Sequence, residues 1–214
     1  MRNILLVLLL AGLLPAHAQK IVEKHIDLST NQYLHMNFQI SDSIRIVTWN
    51  KKEVYVKSSI NINNNKNNDD YKMTFNESGS TINVTARLEM DRNNDSCCCR
   101  TCHTEILHEI YIPENTDFSV ETINGNITIA GNTAEIRAKS ISGFIDLAIA
   151  PERKADLKMR TITGTMYSNF DLQTTSRHIK QVGGGSVSAG LNGGGGKTIN
   201  LETISGNIFF RKAG

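Results

Sequence analysis

Cysteine has the most obvious chemistry in this chain, and all four copies fall within six positions: Cys97, Cys98, Cys99 and Cys102, with His103 immediately after. In an oxidising compartment such thiols close disulfides, and four cysteines allow three pairings. Adjacent cysteines bridge only with strain, so joining Cys97 or Cys98 to Cys102 is easier than joining Cys98 to Cys99. A disulfide-stapled loop is the expected state. The alternative is a soft metal, Cu(I) or zinc, held by Cys99, Cys102 and His103, with His108 as a further nitrogen. Structural zinc usually draws ligands from two separated pairs, whereas one short loop supplies these. Cys99-Arg100-Thr101-Cys102-His103 also fits the C-x-x-C-H pattern of covalent haem attachment. A haem needs an apolar pocket and a second axial group; residues 92–100 are polar, so no cofactor is expected.

A second motif fails on inspection. Gly193-Gly194-Gly195-Gly196-Lys197-Thr198 resembles a phosphate loop, but the first required glycine falls at Leu191. The residues after it, Ile199-Asn200-Leu201, suit a strand rather than a helix start. This run is expected to be an inter-strand connector.

The elements that must carry these groups announce themselves by repetition. Val120-Glu121-Thr122-Ile123-Asn124-Gly125-Asn126-Ile127 returns around Gly143, Gly164 and Gly206. The glycine steps are 18, 21 and 42, and halving the last places a worn fifth copy at Gly185. Such a period marks a repeat architecture. Counted from each glycine, the apolar positions are −7 and −5, then +2 and +4. Side chains alternate along a strand, so this change of phase requires a bend at Thr-Ile-Ser/Asn/Thr-Gly. The fold class expected is all-β: a short, single-stranded β-helix-like solenoid of about five coils over residues 113–214. An N-terminal β section, 19–112, carries an Asn-rich tract at 61–70 and the cysteine loop, and is expected to cap one end. The Asn-rich tract is too polar to order itself by burial and is expected to be mobile. The terminal coil, with Arg211 and Lys212 after Phe210, is expected to leave an exposed edge open to edge-to-edge self-association.

Residues 1–18 match a secretory signal peptide: Arg2, an apolar run from Ile4 to Leu14, and Ala16-His17-Ala18 before Gln19. No later stretch has the length of a spanning helix. The expectation is export, to the periplasm, the cell surface or the medium. The formal charge of +2, or +1 once Arg2 is removed, offers no argument for nucleic acid.

Ile110-Tyr111-Ile112-Pro113-Glu114-Asn115-Thr116-Asp117-Phe118, the repeat that follows, and the recurring Thr-Ile-Ser-Gly units resemble the putative-adhesin domain family of exported bacterial proteins. The segment Ile44 to Val56, with Trp49 before a charged turn, is similar to the section preceding the solenoid there. The resemblance implies a β-solenoid in the envelope with an adhesive role, and carries over no catalytic residues. It departs at Gly183-Gly184-Gly185 and at the cysteine cluster.

Some stacked β-coils cleave polysaccharides with paired carboxylates. Here position −4 holds Glu121, Lys139, Arg160, Gln181 and Glu202 in chain order, and no two acids are neighbours. The functional expectation is therefore a non-enzymatic surface-binding module whose partner is an envelope polymer or protein. Outward residues Asn126, Phe144, Thr165 and Asn207 are its candidate binding face. A metal- or redox-active cysteine loop and a polysaccharide-active β-helix are the alternatives.

Overall fold

A computed structural model describes residues 19–29, 32–89, 103–179 and 184–214, the side chains of 175–179 excepted. Apart from one 3-10 turn at Asn68–Asp70, its regular elements are strands. These are β1 (Lys20–Asp27), β2 (Tyr33–Trp49), β3 (Glu53–Ile62), β4 (Tyr71–Ser78), β5 (Thr81–Leu88), β6 (Thr104–Pro113), β7 (Phe118–Ala130) and β8 (Ile136–Ser142). There follow β9 (Ile145–Ile149), β10 (Ala155–Thr161), β11 (Met166–Ser168), β12 (Gln173–Ile179), β13 (Gly185–Leu191), β14 (Lys197–Ser205) and β15 (Ile208–Lys212). All belong to one large mixed sheet that does not close.

The sheet is bent. The first half of β2 pairs with β5 and its second half with β6. In the same way β7 takes β8 along its first half and β9 along its second. Two walls result, and the residues that alternate inward from each meet in one core. Leu34, Met36 and Phe38 before the bend join Ile44 and Ile46 after it, all fully buried. Aliphatic and β-branched side chains at every second position supply this burial, the main stabilising term.

Along the stack the layers run β5/β6, β2, β7, β8/β9, β14/β15, β10/β11, each parallel to the next. Antiparallel strands finish the ends: β4 beside β5, β3 and β1 beside β6, β13 and β12 beside β10. The N-terminal section thus contributes layers as well as an end.

Three expectations about the stack need correction. The repeat units, which a solenoid of successive coils would stack in chain order, do not do so, because β14/β15 lies between β8/β9 and β10/β11. The charged rows agree with this order. Chain order would set Lys139 beside Arg160 and Arg137 beside Lys158, whereas the observed order gives Glu121, Lys139, Glu202, Arg160, with alternating sign. Glu202 sits 3.9 Å from Arg160. Consequently the terminal coil is no edge; β15 has β9 on one side and β11 on the other. The Gly185 unit is not a parallel coil either. It forms β13, which runs back antiparallel to β10. Gly184 at φ +85° lies against the Thr161 and Ile162 carbonyls, where a side chain has no room.

The Asn-rich tract is ordered, which its single apolar residue, Ile62, did not suggest. Asn63, Asn64 and Asn65 adopt left-handed φ of 52°, 53° and 65°. Their carboxamides replace the missing burial with local hydrogen bonds: Asn68 Oδ1 accepts from Ile62 N at 2.8 Å, and Asn68 Nδ2 donates to Asn65 Oδ1 at 3.1 Å. Asparagine tolerates this conformation and mimics backbone partners.

The bend in the repeats has a uniform construction. Gly125, Gly143, Gly206 and Gly164 form a column in which a β-carbon on each would fall on a backbone carbonyl of the layer beneath. Gly125 and Gly143 also need positive φ, 151° and 143°. The buried hydroxyl at −3 of each layer donates to the glycine carbonyl below: Ser140 to Gly125 at 3.0 Å, Thr203 to Gly143 at 3.1 Å, Thr161 to Gly206 at 3.0 Å. These three bend carbonyls thereby keep a partner on being covered by the next layer.

Candidate binding face

The four residues expected to present a binding face fall in one row on the second wall. Asn126, Phe144, Asn207 and Thr165 occupy equivalent places just past the bend in consecutive layers. Two of them also hold the fold: Asn126 Oδ1 accepts from Phe144 N at 3.2 Å, and Asn207 Oδ1 accepts from Thr165 N at 3.0 Å. Their oxygens are committed to the next layer. What the row offers solvent is the Phe144 ring and Thr165, the two exposed members.

That ring belongs to a cluster with the next outward row. Phe144 meets Phe209 edge-on with centroids 6.0 Å apart, and Tyr167 stacks on Phe209 at 5.2 Å. Tyr167 is half exposed. Beside them Arg211 makes a two-pronged contact with Asp146, Nε to Oδ1 at 2.6 Å and NH2 to Oδ2 at 2.8 Å. That bond raises the guanidinium pKa above its usual value.

A second aromatic group lies on the same outward face toward the other end. His25 and Tyr55 rings are 4.6 Å apart, Tyr55 and Tyr111 6.0 Å, Trp49 and Tyr111 5.3 Å. Lys51 Nζ sits 4.6 Å over the Trp49 ring, whose Nε1 donates to the Glu53 carbonyl at 2.8 Å. Partial desolvation, then hydrogen bonding and charge from Glu23, raise the Tyr55 hydroxyl pKa. The sequence carried a signal for this group that the repeats overshadowed: Val54-Tyr55-Val56 and Ile110-Tyr111-Ile112 put an outward aromatic between inward aliphatics. Between the two clusters the face is polar, with Arg45 3.9 Å from Glu109 and Thr128 beyond.

The other candidates separate. Cys97, Cys98, Cys99 and Cys102 lie outside the described residues. His103 is exposed at the approach to β6, its carbonyl accepting from Asn63 N at 2.8 Å. His108 is no partner for it, being sealed in the core. Its Nδ1 pairs with Ser58 Oγ at 2.7 Å and its Nε2 with Tyr71 Oη at 3.1 Å, with the Phe38 ring 4.2 Å away. Burial lowers the imidazole pKa to about 3 and raises that of Tyr71. Such a histidine has no lone pair to give a metal. Among the described residues no group of three or more His, Cys, Asp or Glu is placed to hold a metal ion. The glycine-rich run connects β13 to β14, and Gly195 N donates to Asp156 Oδ1 at 3.0 Å. Glu121 and Glu202 share a row, but the Lys139 layer stands between them.

No family model and no curated protein sequence matches the chain. Among solved structures, a putative cell adhesion protein from Clostridium sporogenes matches with a TM-score of 0.53 at 9% identity, covering 92% of this chain and all of that one. A putative adhesin from Bacteroides fragilis matches at 9% identity and a TM-score of 0.24, covering 92% of this chain and 98% of its own. A putative lipid binding protein from Parabacteroides distasonis matches at 11% identity and 0.28, covering 91% and 97%. The first of these is a likeness of fold; the other two superpose too poorly to carry an argument.

Proposed function

We propose that the chain is an exported, non-enzymatic protein of the cell envelope, a short β-solenoid that binds a surface polymer across the outward face of its second wall. The observation that carries the reading is the pair of aromatic clusters on that face. From β6, which bears Tyr111, to β15, which bears Phe209, is four strand spacings, roughly 19 Å. An extended chain lying across the strands would meet rings at both ends and Arg45, Glu109 and Thr128 between them. Polysaccharides have the matching chemistry, with apolar ring faces and regularly spaced hydroxyls, and aromatic side chains supply large contact area at small entropic cost. Export rests on residues 1–18 and on the family resemblance. A fold shared with a protein described in terms of cell adhesion points the same way. The binding role, rather than a catalytic one, rests on outward rows in which carboxylates are kept apart by basic layers.

The test is binding of the mature protein to fractionated envelope polysaccharide. Tyr55→Ala with Tyr111→Ala, and separately Tyr167→Ser with Phe209→Ser, should each weaken binding about tenfold or more while circular dichroism is unchanged. Polymer binding that ignores both pairs would refute the face, and retention of the protein in the cytoplasm would refute the location.

A further inference from the structure

The bend exposes a side chain it does not need. Position −2 of the four units that form the glycine column is isoleucine, and Ile123, Ile141, Ile204 and Ile162 are 49%, 39%, 36% and 41% exposed. Strand register puts them in one column in that order, following Gln39 of β2. The hydroxyls and glycines close the bend by themselves, so a polar residue at −2 would serve the fold equally. Among the described residues eight large hydrophobics are exposed, and half of them are this column. Exposed apolar residues are usually scattered; a straight ladder of them marks an interface.

We propose that this ridge is a self-association face, on which a second copy of the chain packs with its stack axis reversed. Identical branched side chains at a strand spacing of about 4.8 Å form a comb whose teeth fit the gaps of a like comb. The neighbouring −4 row selects the orientation. Its order is Glu121, Lys139, Glu202, Arg160, and reversal sets Glu121 opposite Arg160 of the second copy and Lys139 opposite Glu202. The −6 row, Ser119, Arg137, Asn200, Lys158, likewise brings no like charges together on reversal. A two-fold axis along the stack would instead lay the charged row over Asn126 and Phe144, leaving its charges without partners. The pattern is self-complementary under one two-fold, as an isologous dimer requires. The footprint is on the order of 500 Å² per copy, below the roughly 800 Å² of a standard interface, so the dimer forms only at high local concentration, as on a crowded surface. Ridge and polymer face are separate, and the proposal does not depend on the polymer.

Sedimentation velocity over a wide concentration series tests it on the mature full-length chain. A reversible monomer–dimer equilibrium is expected, and Ile141→Lys with Ile204→Lys should abolish the dimer without moving the melting temperature. Glu121→Lys alone should weaken dimerisation about tenfold, and adding Arg160→Glu in the same chain should restore most of it. A chain monomeric at every concentration, or a dimer indifferent to the isoleucine variant, overturns the proposal. Failure of the charge swap to restore association overturns the reversed arrangement. A monomer that binds phosphatidylcholine vesicles through Ile141 and Ile204 would assign the ridge to a membrane surface instead, and overturns the second copy as occupant.

Discussion

The same bend is built twice, in two different ways. In the repeats the Gly125, Gly143 and Gly206 carbonyls are each met by a hydroxyl from the next layer, as Gly125 is by Ser140 at 3.0 Å. In the N-terminal layers the β2 bend, where register with β7 shifts between Ile40 and Ser43, exposes the Ile40 carbonyl to the core. There the Tyr71 hydroxyl donates to it at 3.0 Å. Tyr71 in turn meets His108, and His108 meets Ser58, so residues from β4, β6 and β3 converge on one carbonyl of β2. The first solution is modular: each layer brings its own part and can be copied. The second is assembled once, from distant pieces of chain, and includes a group that titrates.

That contrast is open to breakage. The largest effect should come from Gly206→Ala, whose β-carbon would fall on the Gly143 carbonyl. Overpacking against backbone should cost about 3 kcal/mol or more, or prevent folding, as read by urea unfolding. Ser41→Gly at the N-terminal bend, which removes a side chain rather than adding one, should cost about 1 kcal/mol. If the two were equal, the glycine column would not be the special part.

His108→Ala should destabilise by about 3 kcal/mol, because it leaves the Ser58 and Tyr71 hydroxyls without their partner and opens a cavity. Acid should separate the two regions next. The imidazole pKa is about 3 in the fold, below its ordinary 6.5. Below pH 6.5 the unfolded chain therefore binds a proton the folded chain does not. The contribution is intact above pH 6.5 and falls by about 1.4 kcal/mol per unit toward pH 3, or roughly 2 kcal/mol by pH 5. The difference in pH dependence between wild type and His108→Ala isolates this contribution; parallel curves would show that His108 does not carry it. The smallest effect is Thr203→Val, which removes one of several equivalent hydroxyl bonds and should cost about 1 kcal/mol. A larger loss would mean the ladder is cooperative rather than modular.

The repeats were legible because their determinants are local. Apolar spacing, its change of phase and the glycine all lie within a dozen residues, and the bend and the inward positions follow from them. Stacking order is not local. The 42-residue step suggested a worn coil at Gly185, whereas the chain turns back there and the Gly206 unit slots in between two others. The clue was present in the −4 column, where chain order puts Lys139 beside Arg160. The column is informative through repulsion between like charges rather than through paired acids. Parity put Asn126, Phe144, Thr165 and Asn207 on the outward side, and register sets them in one row, but parity does not reveal that Asn126 and Asn207 spend their oxygens on the backbone. Alternation with Ile106, Ile110 and Ile112 puts His108 on the inward side of β6, but what satisfies it there is not local, since its partners are 50 and 37 positions away.

The layer order also constrains how the molecule can come into being. β10 and β11 emerge from the ribosome, and from any export channel, before β14 and β15, yet β14/β15 is the surface they rest on. The stack cannot grow one layer at a time as the chain appears; β10 through β13 must wait, unpaired with the layers before them, until the strand that separates them arrives. Completion of this end of the protein is thereby tied to the delivery of residues 197–212.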